Sequence, residues 1–271
     1  MAKKNLGEMS FLDHLEELRW LLVRSTIAIL VMAFITYFFS DYLFDEIILG
    51  PTRPTFFTYV WFCDLSHQLG IADSICITEL NFIIQNTEME GQVNIFVWMC
   101  ILVGFILGFP YILWELWKFI SPALYENERK NAKVFIFTSS LLFFLGVIFG
   151  YFIVIPMSVN FVATFSVSDV VKNQFTLDSY MGMVKTSVLA GGLFFELPII
   201  IYFLTKLGLV TPVFLRKYWK YAVILILIIA AIVTPPDVVS QTIVAIPMLV
   251  IYEVSILISK VVYKNKEKEN V

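Results

Sequence analysis

Long apolar runs, separated by polar and charged segments, dominate the pattern of this chain. A helix needs about 20 consecutive apolar residues to cross the hydrocarbon layer of a bilayer. We predict six membrane-spanning helices, of which the last two are short. They cover Trp20–Phe39, Ile95–Phe119, Val134–Ile155, Met181–Leu204, Tyr221–Val233 and Gln241–Ser259. The last two could instead form a re-entrant pair, but Lys220 and Lys260 at the two ends of that pair favour two short crossings.

Prolines and regularly spaced glycines predict kinked helices in close contact. The prolines within or beside the runs are Pro110, Pro156, Pro198, Pro235, Pro236 and Pro247. A proline inside a helix removes a backbone donor and bends the helix. The spacings Gly104-x-x-x-Gly108 and Gly146-x-x-x-Gly150 permit close helix approach. We therefore predict an all-α integral membrane protein whose six transmembrane helices form a curved, open scaffold with kinked helices, as a single polytopic membrane domain over residues 1–271.

The composition argues against a single water-soluble core. Hydrophobic residues make up 59% of the chain and charged residues only 15%, whereas soluble domains carry about 25% charged residues. The net charge of −3 also argues against a general nucleic-acid binder. We therefore expect membrane lipid, and no nucleic acid, around this chain.

The basic residues are biased to one side of the predicted membrane. Sixteen of the 19 Lys and Arg residues fall in the N-terminal segment, the second-to-third connection, the fourth-to-fifth region and the tail. Because Lys and Arg concentrate in cytoplasmic loops, we predict that both termini are cytoplasmic. The N-terminal segment, residues 1–19, is predicted as an amphipathic cytoplasmic helix, and residues 260–271 as a cytoplasmic tail.

The first loop on the opposite side, residues 40–91, is long and acidic. Loops of this length usually have structure or a function. Cys63 and Cys76 both lie in this loop, and an oxidising outer compartment would allow them to form a disulfide. The alternative is two unpaired, half-buried thiols, and the sequence alone favours neither.

Several polar residues fall inside the apolar runs, where an ionisable side chain costs about 2.5 to 3.5 kcal/mol on insertion scales. Glu196 lies in the middle of the fourth run, two residues before Pro198. We favour a functional role for Glu196 over a purely structural pairing with a polar neighbour. Glu115 and Glu253 lie near the cytoplasmic ends of their helices, where a carboxylate can reach water, so a structural role is favoured for both. Gln241, taken alone, is no more than a helix-start feature.

Two cytoplasmic segments carry acidic residues. The segment Ser10–Arg19 reads as a short helix with Glu17 on its polar face, and the segment Phe119–Lys130 contains Glu126 and Glu128. A guanidinium donates two parallel hydrogen bonds to a carboxylate, which an ammonium group does not. Two carboxylates on one surface could therefore select a pair of arginines. The alternatives are a solvated polar face and local charge balance.

Four segments together resemble the signature segments of the TatC family of the twin-arginine protein translocase. They are FLDHLEELR (Phe11–Arg19), FISPALYENER (Phe119–Arg129), FFELP (Phe194–Pro198) and TPPDVVSQ (Thr234–Gln241). They occur in the family's order and at the expected places relative to the six runs. The resemblance implies a receptor in the bacterial cytoplasmic (inner) membrane for the twin-arginine signal peptides of folded cargo. It also implies work with single-span TatA and TatB partners and other copies of itself, driven by the protonmotive force.

The resemblance implies recognition roles for three residues. Glu17 and Glu128 match the two glutamates that bind the arginine pair, and Phe119 matches an aromatic residue in the same patch. Glu16 next to Glu17 leaves this assignment open by one residue, although the helix phase favours Glu17.

The resemblance also implies roles for three residues nearer the outer side. Glu196 matches an intramembrane glutamate linked to a polar cluster and to partner-helix contact. Asp237 matches an outer-loop position associated with assembly, and Gln241 matches a position associated with partner contact.

An enzyme is not predicted. Only two histidines occur, His14 and His67, both outside the apolar runs, and neither an H-E-x-x-H zinc motif nor a phosphate-binding loop is present. We therefore predict no catalytic residues, no cofactor and no metal. The competing interpretation is a proton-coupled small-solute secondary transporter centred on Glu196. Against it, no repeat relates the first three runs to the last three, and a transporter gives no reason for paired cytoplasmic glutamates.

Overall fold

The computed structural model describes residues 11–68, 76, 80, 82–121, 132–168 and 173–269. The described α-helices of six or more residues are α1 (Phe11–Tyr37), α2 (Phe57–Gln68), α3 (Gly91–Ile120), α4 (Ala132–Phe149), α5 (Ile155–Thr164), α6 (Leu177–Phe195), α7 (Leu197–Lys206), α8 (Pro212–Lys217), α9 (Trp219–Val233) and α10 (Val238–Glu269). Shorter helical pieces are an α-turn at Ser40–Tyr42, π-helices at Leu43–Ile48 and Gly150–Val154, and a 3₁₀ turn at Gly50–Thr52. Two strands, β1 (Ile83–Gln85) and β2 (Gln174–Thr176), pair in parallel.

Five helical stretches in the described part are long and apolar enough to cross a membrane. They are His14–Tyr37, Gly91–Ile120, Lys133–Thr164, Leu177–Lys206 and Val238–Lys266. The first four coincide with the four predicted long runs. The fifth coincides with the predicted last run and is longer than that run. The predicted short fifth run is α9, an apolar helix of 15 residues. The chain is therefore a multi-pass membrane protein.

Several predicted helices were too short. The third run was expected to end at Ile155, but the π-helix Gly150–Val154 leads directly into α5, which continues to Thr164. Pro156 lies in the first turn of α5 and has no N–H to donate to the preceding turn, which is the π-helix. At the N-terminus, α1 runs without a break from Phe11 to Tyr37, so its first turns belong to the spanning helix.

The chain divides into two compact units. The first unit comprises residues 1–43 and 93–141, and the second comprises residues 44–92 and 142–271. The predicted single membrane domain therefore stays a prediction.

In the first unit, α1 and α3 run antiparallel and contact each other along their length. Tyr37 at the end of α1 meets Phe96 near the start of α3, with ring centroids 5.6 Å apart. Farther along, Gly104 lies against the α1 backbone, since a Cβ there would be 2.7 Å from the backbone nitrogen of Ala33 and 2.7 Å from the carbonyl oxygen of Ile29. The predicted close approach at Gly104 is therefore present.

In the second unit, the glycines of the fourth and sixth helices make the corresponding contact. A Cβ on Gly146 of α4 would lie 2.7 Å from the carbonyl carbon of Gly191 on α6. A Cβ on Gly150 would lie 3.0 Å from the carbonyl carbon of Ser187. The two helices thus approach backbone to backbone, as the Gly146-x-x-x-Gly150 spacing predicted.

The apolar core of the second unit surrounds α10. Ala230, Val244 and Ile256 are fully buried in it. The buried hydroxyls of Thr205 on α7 and Ser259 on α10 share a hydrogen bond of 2.8 Å. This pairing satisfies two polar groups that would otherwise be costly to bury.

Tyrosine hydroxyls attach the long segment after α1 to the helices of the second unit. Tyr180 donates a hydrogen bond of 2.6 Å to the carbonyl of Ile48, and Tyr151 donates one of 2.6 Å to the carbonyl of Ile47. The buried Tyr59 hydroxyl lies 2.9 Å from the carbonyl of Pro51. These hydrogen bonds hold Ile47 and Ile48 against the helices of the second unit.

Candidate functional site

The N-terminal end of α1 and the C-terminal end of α3 meet in the first unit. The rings of His14 and Phe119 are stacked, with centroids 4.3 Å apart and planes 25° from parallel. Glu17 lies one turn after His14 on α1 and is exposed. Phe119, at the end of α3, is half-buried. The structure therefore brings the helix end that carries Glu17 next to Phe119, whereas Glu126 and Glu128 lie outside the described residues.

The His14–Phe119 contact was not predicted from the sequence. Both residues fall within the family-like segments, so the segments themselves were found. Which residues of two separate helices touch depends on the register of their packing, and a hydropathy pattern does not give that register.

A buried carboxylate lies deeper between the same two helices. Glu115 on α3 has a side chain only 3% exposed. It accepts a hydrogen bond of 3.0 Å from Nη1 of Arg24 on α1 and one of 2.7 Å from Nζ of Lys118 on its own helix. The prediction that this carboxylate reaches water is wrong. It is instead held by two cations, which is what a buried charge requires.

Glu196 forms the break between α6 and α7 and belongs to neither helix. Its backbone N–H donates to the carbonyl of Leu193 at 3.2 Å, and its carbonyl accepts from the N–H of Ile199 and Ile200, each at 3.0 Å. Pro198 lies in the first turn of α7, a position that suits proline because no intrahelical donor is lost. The residue is 6% exposed, so a carboxylate is buried at the break in the fourth predicted run.

Gln241 and Glu253 both make contacts between helices of the second unit. The Gln241 amide donates a hydrogen bond of 3.0 Å to the carbonyl of Leu227, which joins α10 to α9. Arg216 on α8 donates two hydrogen bonds to the carboxylate of Glu253, at 2.9 and 3.1 Å. Glu253 thus has the structural pairing expected of it, and Gln241 does more than begin a helix.

Asp237 caps the N-terminus of α10. Its carboxylate accepts hydrogen bonds from the backbone N–H of Ser240 at 2.7 Å and of Val239 at 3.3 Å. The bond from the Ser240 N–H, together with the Ser240 side chain, lowers the pKa of this carboxyl below its ordinary value. Such a cap satisfies donors that have no partner within the helix.

We expect Asp237→Ala to lower the free energy of unfolding by about 1 kcal/mol at neutral pH, since the cap is lost. The folded state lowers the pKa, so the contribution of the charge is complete above the ordinary carboxyl pKa of about 3.9. It is lost as the pH falls through the lower pKa of the folded state. Denaturant unfolding of the purified protein in detergent measures both effects. Asp237→Asn is the control, because its side chain keeps an acceptor but does not titrate. Equal free energies of unfolding for the wild type and Asp237→Ala at neutral pH would contradict the capping role.

The long segment after α1 contains a disulfide. Cys63 on α2 and Cys76 are bonded, with their Cα atoms 4.6 Å apart. The Nε2 atom of His67 lies 3.7 Å from the Cys76 sulfur. Although the ligand atoms of Cys63, His67 and Cys76 lie within 4.8 Å of one another, the two sulfurs are bonded to each other. They are therefore not available as thiolate ligands for a metal.

The helices and the apolar spans define a multi-pass α-helical membrane protein. The family model described as "Sec-independent protein translocase protein (TatC)" matches residues 13–247. The chain belongs to this TatC family of twin-arginine translocase components. The predicted family is confirmed, and the small-solute transporter is not supported, because the family is one of protein translocation.

Two relatives and one solved structure match nearly the whole chain. The Sec-independent protein translocase protein TatC of Blattabacterium sp. subsp. Periplaneta americana (strain BPLAN) is 42% identical over 269 residues, which cover 97% of this chain and 100% of the relative. TatCy of Bacillus subtilis (strain 168) is 34% identical over 270 residues, covering 100% of this chain and 96% of the relative. A crystal structure described as that of the "Twin Arginine Translocase Receptor- TatC" matches with a TM-score of 0.70 and 32% identity, covering 92% of this chain and 99% of that one.

Proposed function

We propose that this protein is the signal-peptide receptor and core membrane subunit of a twin-arginine export system. In this proposal Glu17 and Glu128 bind the arginine pair of the signal peptide, and Phe119 completes the recognition patch. The observation that carries it is the stacking of His14 on Phe119 at 4.3 Å, because it joins two family-like segments in one place. The solved relative described as a twin-arginine translocase receptor supports the same role.

The chemistry of the patch suits arginine. Glu17 is exposed, so its carboxylate can accept two hydrogen bonds from one guanidinium without a large desolvation cost. A lysine ammonium is a point charge and lacks this planar pair of donors. Two such carboxylates would therefore favour Arg-Arg over Lys-Lys, which electrostatic attraction alone would not.

The wider assembly follows from the same proposal. The protein lies in the bacterial cytoplasmic membrane with both termini cytoplasmic, and α9 acts as a short fifth span among six. Glu196 and Gln241 contact single-span TatA and TatB partners, and Asp237 takes part in assembly with other copies of the protein. The resulting complex moves folded cargo outward using the protonmotive force. The buried carboxylate at the α6–α7 break supports a partner-binding role for Glu196, since a buried ionisable group in a span calls for a function or a partner.

The test is crosslinking of a twin-arginine signal peptide to membranes that contain the wild type, Glu17→Ala or Glu128→Ala. We expect each substitution to reduce crosslinking at least about tenfold, because one charge-assisted hydrogen-bonded pair is lost. Glu16→Ala is the matched control on the neighbouring exposed residue, and a Lys-Lys peptide tests the requirement for arginine. Equal crosslinking of the wild type and both variants would show that recognition occurs elsewhere.

A further inference from the structure

The exposed Glu17 shares the first unit with two half-exposed cations, Arg24 on α1 and Lys118 on α3. Glu17 and Arg24 are seven residues apart on α1, and at about 100° per residue this places them within about 20° of the same line along the helix. The rise of about 1.5 Å per residue separates them by two turns, or about 10 Å. Arg24 therefore follows Glu17 along the same stripe of α1, on the side that contacts α3.

A second cation comes from α3. Lys118 lies beside Phe119, whose ring stacks on His14 one turn from Glu17. The side chains of Arg24 and Lys118 are 48% and 51% exposed, respectively. Both are long, half-exposed cations. They lie near the patch that binds the two positively charged arginines in the proposed function. Left free, they would repel the incoming arginines, and Arg24 could itself pair with Glu17.

The structure places each of these cations against another group. Glu115 binds Arg24 through one carboxylate oxygen and Lys118 through the other. The remaining described basic residue of this helix end, Arg19, lies over the ring of Trp20 at 5.4 Å. The pairing at Glu115 is the tightest of these, since its carboxylate is only 3% exposed and a buried charge does not readily give up its partners.

We propose that Glu115 is a positioning residue for signal-peptide recognition, which holds Arg24 and Lys118 so that Glu17 stays available to the arginine pair of the cargo. The inference rests on the proposed receptor function and adds a residue to it. Glu115 does not touch the peptide. It sets the charge of the patch by binding two intramolecular cations that would otherwise compete with the peptide for the same carboxylate.

A purely structural role for Glu115 makes a different prediction. If the ion pairs only fasten α1 to α3, then removing Arg24 should weaken peptide binding much as removing Glu115 does, because either change breaks the same contact. If Glu115 instead keeps the cations away from Glu17, removing Arg24 alone should not weaken peptide binding. Removing it together with Glu115 should then repair the defect of the Glu115 variant.

The experiment measures crosslinking of the Arg-Arg signal peptide to membranes holding Glu115→Gln, Arg24→Gln, and the double variant. We expect Glu115→Gln to reduce crosslinking about tenfold, Arg24→Gln to leave it within about twofold of wild type, and the double variant to recover most of the loss. Raising the salt concentration should narrow the gap between Glu115→Gln and wild type, because exposed charges are screened. Glu253→Gln, which breaks the Arg216 pair in the second unit, is the control for loss of an ion pair elsewhere.

Unaltered crosslinking in Glu115→Gln overturns the inference, and so does a double variant that is no better than Glu115→Gln. If Glu115→Gln does not accumulate in the membrane, Arg24→Gln decides alone: a loss of crosslinking with normal membrane levels contradicts the proposal. Failure of the receptor function itself is distinguishable, because then the wild type would show no binding that depends on Glu17.

Discussion

Replacing Gly146 with alanine is expected to lower the free energy of unfolding by about 3 kcal/mol, at the upper end of the usual range for overpacking. A Cβ at this position would lie 2.7 Å from the carbonyl carbon of Gly191 and 2.8 Å from the Cα of Gly192. All of these neighbours are backbone atoms, so no side chain can rotate away. Either α4 and α6 separate, or the backbone distorts, and both outcomes remove contacts from the core of the second unit.

Gly182 is the matched control for Gly146. It lies on α6, the helix that faces Gly146, but a Cβ built on it has no neighbour within 4 Å. Alanine there should be neutral or stabilising by about 0.5 to 1 kcal/mol, since it lowers the entropy cost of forming the helix. Thermal unfolding of the two purified variants in detergent measures the difference. Equal melting temperatures for Gly146→Ala and Gly182→Ala would show that α4 and α6 can separate at no cost.

The apolar runs predicted most of the fold because the bilayer acts on each span separately. A run of sufficient length must be helical in lipid, where every backbone group needs an internal partner. Six runs were therefore found without knowledge of any contact between them. The glycine spacing at Gly146 and Gly150 also predicted a helix contact correctly. Gly108, by contrast, makes only an ordinary contact, since a Cβ there would lie 4.0 Å from Cγ of Met32.

Helix continuity was harder to predict than helix existence. Pro156 and Pro198 both looked like sites of bending. In the structure Pro156 is the second residue of α5, which follows a π-helix with no gap, while the helix breaks at Glu196, two residues before Pro198. A proline is compatible with the first turn of a new helix. Its presence alone therefore does not say whether the preceding helix ends or runs on.

The polar contacts of the candidate site illustrate what a single sequence leaves out. The spacing of Glu115 and Lys118 is typical of an ion pair within one helix, and this pair could have been predicted. Arg24, the second partner of Glu115, comes from a different helix, 91 residues away in the chain. The family-like segments pointed to Glu17 and Phe119, but the stacking of His14 on Phe119 required the packing of α1 on α3.

Replacing Cys63 with serine is expected to destabilise the long segment after α1 by about 3 kcal/mol, the value for a ring of about 15 residues in the chain-entropy account of disulfides. The bond joins residues 13 positions apart and links α2 to Cys76. Without it, the unfolded segment gains conformations that the closed ring excludes. Hydrogen exchange in α2 and limited proteolysis of the purified protein should both report a segment that opens more readily, while the spanning helices keep their protection.

Reduction and a double variant separate this effect from a simple change of side chain. A dithiol reductant should bring the wild type to the exchange rates of Cys63→Ser and should leave that variant unchanged. Because both cysteines contribute to one bond, Cys63→Ser with Cys76→Ser should be no less stable than either single variant. Additive losses would instead mean that each side chain contributes through its own packing. The disulfide between α2 and Cys76 therefore predicts one contribution to the stability of this segment, which both cysteines share and which reduction removes.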